Sequence, residues 1–181
     1  MTKKMNLVKE PNSIIKLLNS NDENEKLLGY KSFLSRTHWF SAQTPEALKI
    51  FACNQLNVNP RYVLASFKKI EPAFLWASQD SLENKKLKMV EAAFHYVSSV
   101  KKEIPPIIVW NFFDSQKIRY VVHDGHHRSF YFYRFHKKVS AVVLEPLGNY
   151  HQMEEKFNYA FQIQKRVIDL PVTRQKTDKV I

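Results

Sequence analysis

Thiol chemistry is almost closed to this chain, because one residue in 181, Cys53, is a cysteine. One thiol makes neither an internal disulfide nor a cysteine-ligated metal cluster. Glycine is nearly as scarce, at three residues, while hydrophobic residues make up 44% and aromatics 13%. So much apolar bulk argues against a disordered chain and for one folded core, since a second full domain is cramped in this length. No apolar run approaches the length of a membrane span, and Met1-Thr2-Lys3-Lys4 leads into no signal-like apolar segment. The expectation is a cytoplasmic protein with no membrane partner. Acidic residues are in deficit: 17 Asp and Glu face 28 Lys and Arg, for a net charge of +11. The surplus is shared between the two halves of the chain, so it is no detachable basic arm. A generally basic surface accommodates it, and so does an anionic partner such as a nucleotide or nucleic acid.

Periodicity predicts helices before residue 58, at Ser13–Leu18, at Glu25–Ser35 and from Thr44 to about Asn57. Thr44-Pro45-Glu46 is a helix start, with Thr44 as N-cap and Pro45 at the first helical position. Asn59-Pro60 breaks the chain before a strand from Tyr62 to Phe67. Leu87, Val90, Phe94 and Val97 recur at helical spacing within residues 82–101, with Asp80 or Ser81 as cap. Pro105-Pro106 forces an extended entry into Ile107–Phe112; Asp114-Ser115-Gln116-Lys117 turns the chain, and Ile118–Val122 returns as the partner strand. Ser129–Lys138 has the aromatic composition of a strand, yet the turn before it makes sense only as a helix opening, so a helix is predicted. Val139–Leu144 reads as a buried strand and Met153–Ile168 as a helix with Phe157, Phe161 and Ile168 inward; Thr173–Lys179 reads as a loose polar tail. The chain thus divides into a helical extension (1–58), a core (59–150) and a C-terminal helix with tail (151–181).

Chemistry concentrates at His123-Asp124-Gly125-His126-His127-Arg128, a strand-to-helix turn. Asp124 is the candidate N-cap, and Gly125 lets the backbone approach a ligand closely. Free amides of a first helical turn, with Arg128 and two imidazoles beside them, suit an anion, and phosphate is the obvious guest. Gly125, His126, His127, Arg128 and Ser129 make up the phosphate-binding set, with Arg128 as a bidentate donor and the histidines protonated by the nearby charge. A structural alternative stays open: a helix start whose histidines pack on the sheet. A metal held by His123, His126 and His127 would need three converging nitrogens, whereas adjacent helix positions diverge by about 100°, so no resident metal is expected. Cys53 reads as a buried small residue, and Trp39, Phe40, Trp76 and Trp110 as either base-stacking or core residues.

Pro105-Pro106-Ile107-Ile108-Val109, a short polar turn, and Tyr120 through Arg128 together resemble the ParB/sulfiredoxin core, where a similar strand pair leads into a D-G-H-H-R, G-E-R-R or G-C-H-R turn opening a helix. The likeness continues through Lys137-Lys138 to Glu145-Pro146, starts near the strand from Tyr62 to Ile70, and spans roughly half the chain. It implies an α/β (α+β) fold in which a small mixed sheet is flanked by helices and carries the N-terminal extension. It also implies ATP or ADP with Mg2+ bound at the turn, phosphoryl transfer or hydrolysis, and a small-molecule phosphate acceptor. Sulfiredoxin chemistry itself is excluded, because His126 stands where those enzymes carry their cysteine. The D-G-H-H-R branch includes kinases of free serine, whose base is a glutamate soon after the first strand. Glu71 in Lys69-Ile70-Glu71-Pro72 is the matching candidate, with Asp124 orienting a nucleophile or a magnesium-bound water. Lys88 is the candidate for the lysine that sulfiredoxin-like proteins bring to the nucleotide. On this reading Arg128→Ala abolishes nucleotide binding and leaves the fold intact. The alternative is a ParB-like DNA-binding protein or nuclease, for which the +11 charge is the argument.

Overall fold

The computed structural model describes residues 6–112, 119–148, 157, 160, 162 and 164–174. The fold is mixed α/β. Three helices come first: α1 (Pro11–Leu18), α2 (Glu23–Leu34) and α3 (Pro45–Gln55). Thr44 caps α3 through the Ala47 amide with Pro45 at the first position, as the local sequence predicts, whereas α2 begins before the expected Glu25, capped by Asp22 accepting from the Asn24 amide. Gly29 lets α1 and α2 touch: a Cβ there would lie 2.9 Å from the Leu18 backbone nitrogen.

The strand-bearing segment follows, with β1 (Val63–Ile70), β2 (Leu75–Trp76), β3 (Leu82–Glu83), α4 (Asn84–Ser99), β4 (Ile107–Asn111), β5 (Tyr120–Asp124), α5 (His126–Arg134) and β6 (Val139–Pro146). Five strands form one sheet in the order β1-β6-β4-β5-β2. β1 runs antiparallel to β6 and β4 antiparallel to β5; β6 with β4, and β5 with β2, are parallel. Every residue of β4 is buried, because both faces of the sheet are covered. Ile108 and Trp110 pack with Leu48, Ala52 and Cys53 of α3, and Ile107 and Val109 pack on the opposite face with Leu87 of α4. A third core joins α1 and α2 to α4 through Ile14, Phe33, Val90 and Ala93, with Tyr131 of α5. Of the helices before residue 58, α3 therefore shares a core with the strands, and α1 and α2 share one with α4 and α5.

The structure corrects several expectations. The cap of α4 is neither Asp80 nor Ser81: Leu82 and Glu83 first form β3, and Glu83 takes the cap position without a side-chain bond. The helix predicted for the aromatic segment is present as α5, which buries His126, Arg128, Ser129 and Tyr131. The predicted C-terminal helix does not reach Ile168. Gln164 adopts φ 51°, a helix-ending conformation, and Val167–Asp169 form a 3-10 turn that buries Val167 in place of Ile168. Thr173 belongs to no loose tail: with Val172 it forms β7, parallel to β3. The predicted turn 114–117 and the inward Phe161 lie outside the described residues. No helix among the described residues is long and apolar enough to cross a membrane.

Candidate functional site

Tight packing at Gly125 sets the geometry of the turn. Its φ of 107° is left-handed, and a Cβ added there would lie 2.4 Å from Ile107 Cγ2. The glycine is required by the core against which it packs, rather than by the approach of a ligand. Gly125 is itself the N-cap of α5, and no side chain caps the helix. Asp124, the expected cap, closes β5 instead and turns its carboxylate away.

That carboxylate meets Arg128. Arg128 Nη2 donates to Asp124 Oδ2 at 2.5 Å, while Nη1 donates to the carbonyls of Pro105 and Pro106 at 2.9 and 2.7 Å. The guanidinium is 3% exposed. A buried fork with these partners ties the entry of β4 to the start of α5, so Arg128 is a clamp within the protein and not the open bidentate phosphate donor its place in the sequence suggested. Burial alone would raise the Asp124 carboxyl, but the Arg128 charge and hydrogen bond hold it below the usual range. Ser129 is buried as well, its Oγ donating to the Gly125 carbonyl at 3.0 Å.

The two histidines diverge, as their adjacency on a helix demands. His126 Nε2 accepts from the Ser78 amide at 3.0 Å, and His127 Nε2 accepts from the Glu83 amide at 2.9 Å. Accepting at Nε2 places the proton of each neutral ring on Nδ1. Both imidazoles lie far below their ordinary value, His126 at about 3 and His127 at about 4, chiefly because burial penalises the charged ring. They stay neutral at physiological pH, which corrects the expectation of protonated phosphate donors. Instead they bolt the loop 77–83 onto the first turn of α5. Ser78 Oγ adds a third fastening by donating to the Val122 carbonyl at 2.6 Å. His123 is also pushed down, to about 4, mainly by burial, and its Nε2 lies 2.8 Å from Gln55 Oε1.

Between this turn, the end of α2 and the side of α4 lies a cavity of about 430 Å3. The turn lines it from His123 through Arg128, including the paired Asp124 and Arg128, and Ser78 and Gln79 line it from the loop. Arg36, Thr37 and Lys86 line the opposite walls. The first-turn residues of α5 line this space, and no side chain caps the helix. Lys86 is held by Glu83 at 2.5 Å; burial works to raise that carboxyl, and the Lys86 hydrogen bond and charge more than offset it.

Lys88 is exposed and absent from the cavity, whereas Lys86 lines it. The helical phase explains the exchange: Lys86 shares a face with Met89 and Val90, which line the same cavity. Glu71 lies apart. It precedes the 3-10 turn Pro72–Phe74, sits 3.5 Å from Lys138, and lines a different groove. It is not brought to the α5 turn, so it is no base for chemistry there. Arg36 and Thr37 were missed, because nothing local in the sequence marks the residues just after α2 as neighbours of a turn ninety residues on. Trp110 is wholly core, and Cys53 is buried with its thiol pushed up to about 11, chiefly by burial.

An anion fits this set of donors. Asp124 is already paired with Arg128, and among the described residues no group of three His, Cys, Asp or Glu is placed to hold a metal by itself, so a magnesium ion here would come with the phosphates of a nucleotide. No family model matches this chain, and neither a curated protein nor a solved structure is found to be similar to it.

Proposed function

We propose that this is a nucleotide-binding protein of the ParB/sulfiredoxin-like fold, cytoplasmic, holding the terminal phosphates of ATP or ADP at the first turn of α5. One observation carries the reading: the uncapped first turn of α5 lines a polar cavity that Lys86 and Arg36 also line. Amides and helix dipole favour an anion, Arg36 adds a charge from another element, and Lys86 stands beside it in its pair with Glu83. Arg128 serves indirectly, by fixing Gly125 in the conformation that aims those amides. Phosphoryl transfer or hydrolysis, with a small-molecule acceptor, rests on the sequence resemblance. The geometry around the turn supports binding and orientation, since its histidines are neutral acceptors and Glu71 is elsewhere.

Calorimetric titration with ATP, ADP, CTP and inorganic pyrophosphate, with and without magnesium, tests this. Binding by at least one of them is expected, weakened roughly ten- to hundredfold in Lys86→Gln, the usual loss of a charge-assisted hydrogen bond. Binding should persist without magnesium. A well-folded protein that binds none of them would end the proposal.

A further inference from the structure

A second surface, remote from the α5 turn, combines cations and aromatic rings. Between β1 and β2, the two edge strands of the sheet, lies a groove of about 650 Å3. Lys68 and Lys69 line it from β1, Arg119 and Lys138 from just before β5 and β6, and Arg166 from the chain beyond; Glu71 lines it beside Lys138, while Lys68 pairs with Glu145 and Lys69 lies 3.9 Å from Glu103. Phe74, Trp76 and Tyr120 also line it. Arg166 stacks 3.7 Å over the Trp76 ring, and Arg119 lies 5.4 Å from the Tyr120 centroid. Phe74 is 58% exposed, an open ring within the groove, as Tyr62 and Phe67 are open elsewhere on the surface.

The groove does not stop there. Lys69 and Lys138 also line a neighbouring hollow of about 390 Å3, whose walls include Lys102, Lys137, Phe94 and Phe132, with Lys137 Nζ 4.9 Å from the Phe94 centroid. The shared lysines join the two hollows into one track of cations and rings, which Glu71 and Glu103 also line.

We infer that this track binds single-stranded nucleic acid, with bases stacking on Phe74 and phosphates pairing with Lys68, Lys69 and Lys138. A chain of phosphates calls for cations spaced along a path, and unpaired bases call for open rings between them. Both are present, and the track is longer than one nucleotide needs. A duplex would use only the cations, because its base faces are covered by stacking. An acidic peptide would leave the exposed ring without a partner. The inference is independent of the α5 cavity.

Fluorescence anisotropy at increasing salt, with labelled oligothymidylate and oligouridylate of roughly ten nucleotides, decides the matter. Expected is binding that weakens with salt and is lost roughly five- to hundredfold in Phe74→Ala, the range for one base–aromatic stack. Lys69→Glu with Lys138→Glu should flatten the salt slope by about 0.7 for each phosphate contact removed. These side chains are exposed, so the variants should match the parent in circular dichroism and unfolding midpoint. Saturating ATP should leave the oligonucleotide bound. Equal binding of a duplex, of polyglutamate or of anionic vesicles, displacement by ATP, indifference to Phe74→Ala, or no binding at all would each overturn the assignment.

Discussion

Arg128 makes hydrogen bonds to two carbonyls and one carboxylate, all within its own chain. At the level of the residue this changes what a substitution does. Arg128→Ala leaves Asp124 as a partly buried charge without its partner and two proline carbonyls without a donor. Loss of about 3–5 kcal/mol of stability is expected, the usual cost of breaking a buried pair from one side. Urea denaturation measures it. Arg128→Lys should rescue little, because a single ammonium cannot reproduce the planar fork. An alanine variant as stable as the parent, deficient only in nucleotide binding, would return this residue to the phosphate. The turn's importance was legible in Asp124 through Arg128; the partners of the arginine were not, since Pro105 and Pro106 become its neighbours only when β4 and β5 pair.

The element most exposed to pH is α5 with the loop it fastens. His123, His126 and His127 all lie below the ordinary histidine value of 6.5, with burial the leading cause. A histidine whose value is lowered by folding takes up its proton more readily in the unfolded chain. The stability it supports is therefore whole above pH 6.5 and is lost as pH falls toward 4 and below. The urea midpoint should fall steadily through that window, before the lowered carboxyls of Glu83, Asp124 and Glu145 begin to contribute. His126→Gln with His127→Gln should reduce the slope, because a glutamine carbonyl accepts the same amides without titrating. A midpoint that is flat across the window would show that these rings are not held as neutral acceptors. Helix α5 also illustrates a local conflict: its aromatics favour a strand by composition, and the helix opened by the Gly125 turn prevails, with Tyr131 packed in the core it shares with α4.

For the whole molecule, the decisive feature is that α3 shares a core with the sheet, and α1 and α2 share one with α4. A chain beginning at residue 59 would expose Ile108, Trp110 and Val142 on one side and Val90, Ala93 and Val97 on the other. Such a chain is expected to lose cooperative unfolding in near-ultraviolet circular dichroism and to bind a hydrophobic dye. A sharp transition in the shortened chain would show that the helices are an accessory. The same packing supplies Arg36 and Thr37 to the cavity, so the candidate site is completed by helices that precede the strand-bearing segment.

Local chemistry determined much. Thr44-Pro45 starts α3 because cap and fixed φ act within one turn, Pro105-Pro106 compels an extended entry, and Gly125 permits a left-handed cap. Those effects span a few residues, so the sequence alone carries them. Tertiary structure decided the rest. Short strands such as β2, β3 and β7 exist only because partners far along the chain complete their hydrogen bonds, as the Pro171 carbonyl does by accepting from the Leu82 amide. Which of Lys86 and Lys88 faces the cavity depends on where α4 lands, and whether Arg128 meets a ligand or a carbonyl depends on strand pairing. Burial, which sets the charge of His126 and His127, is a property of the packed chain and of no residue by itself.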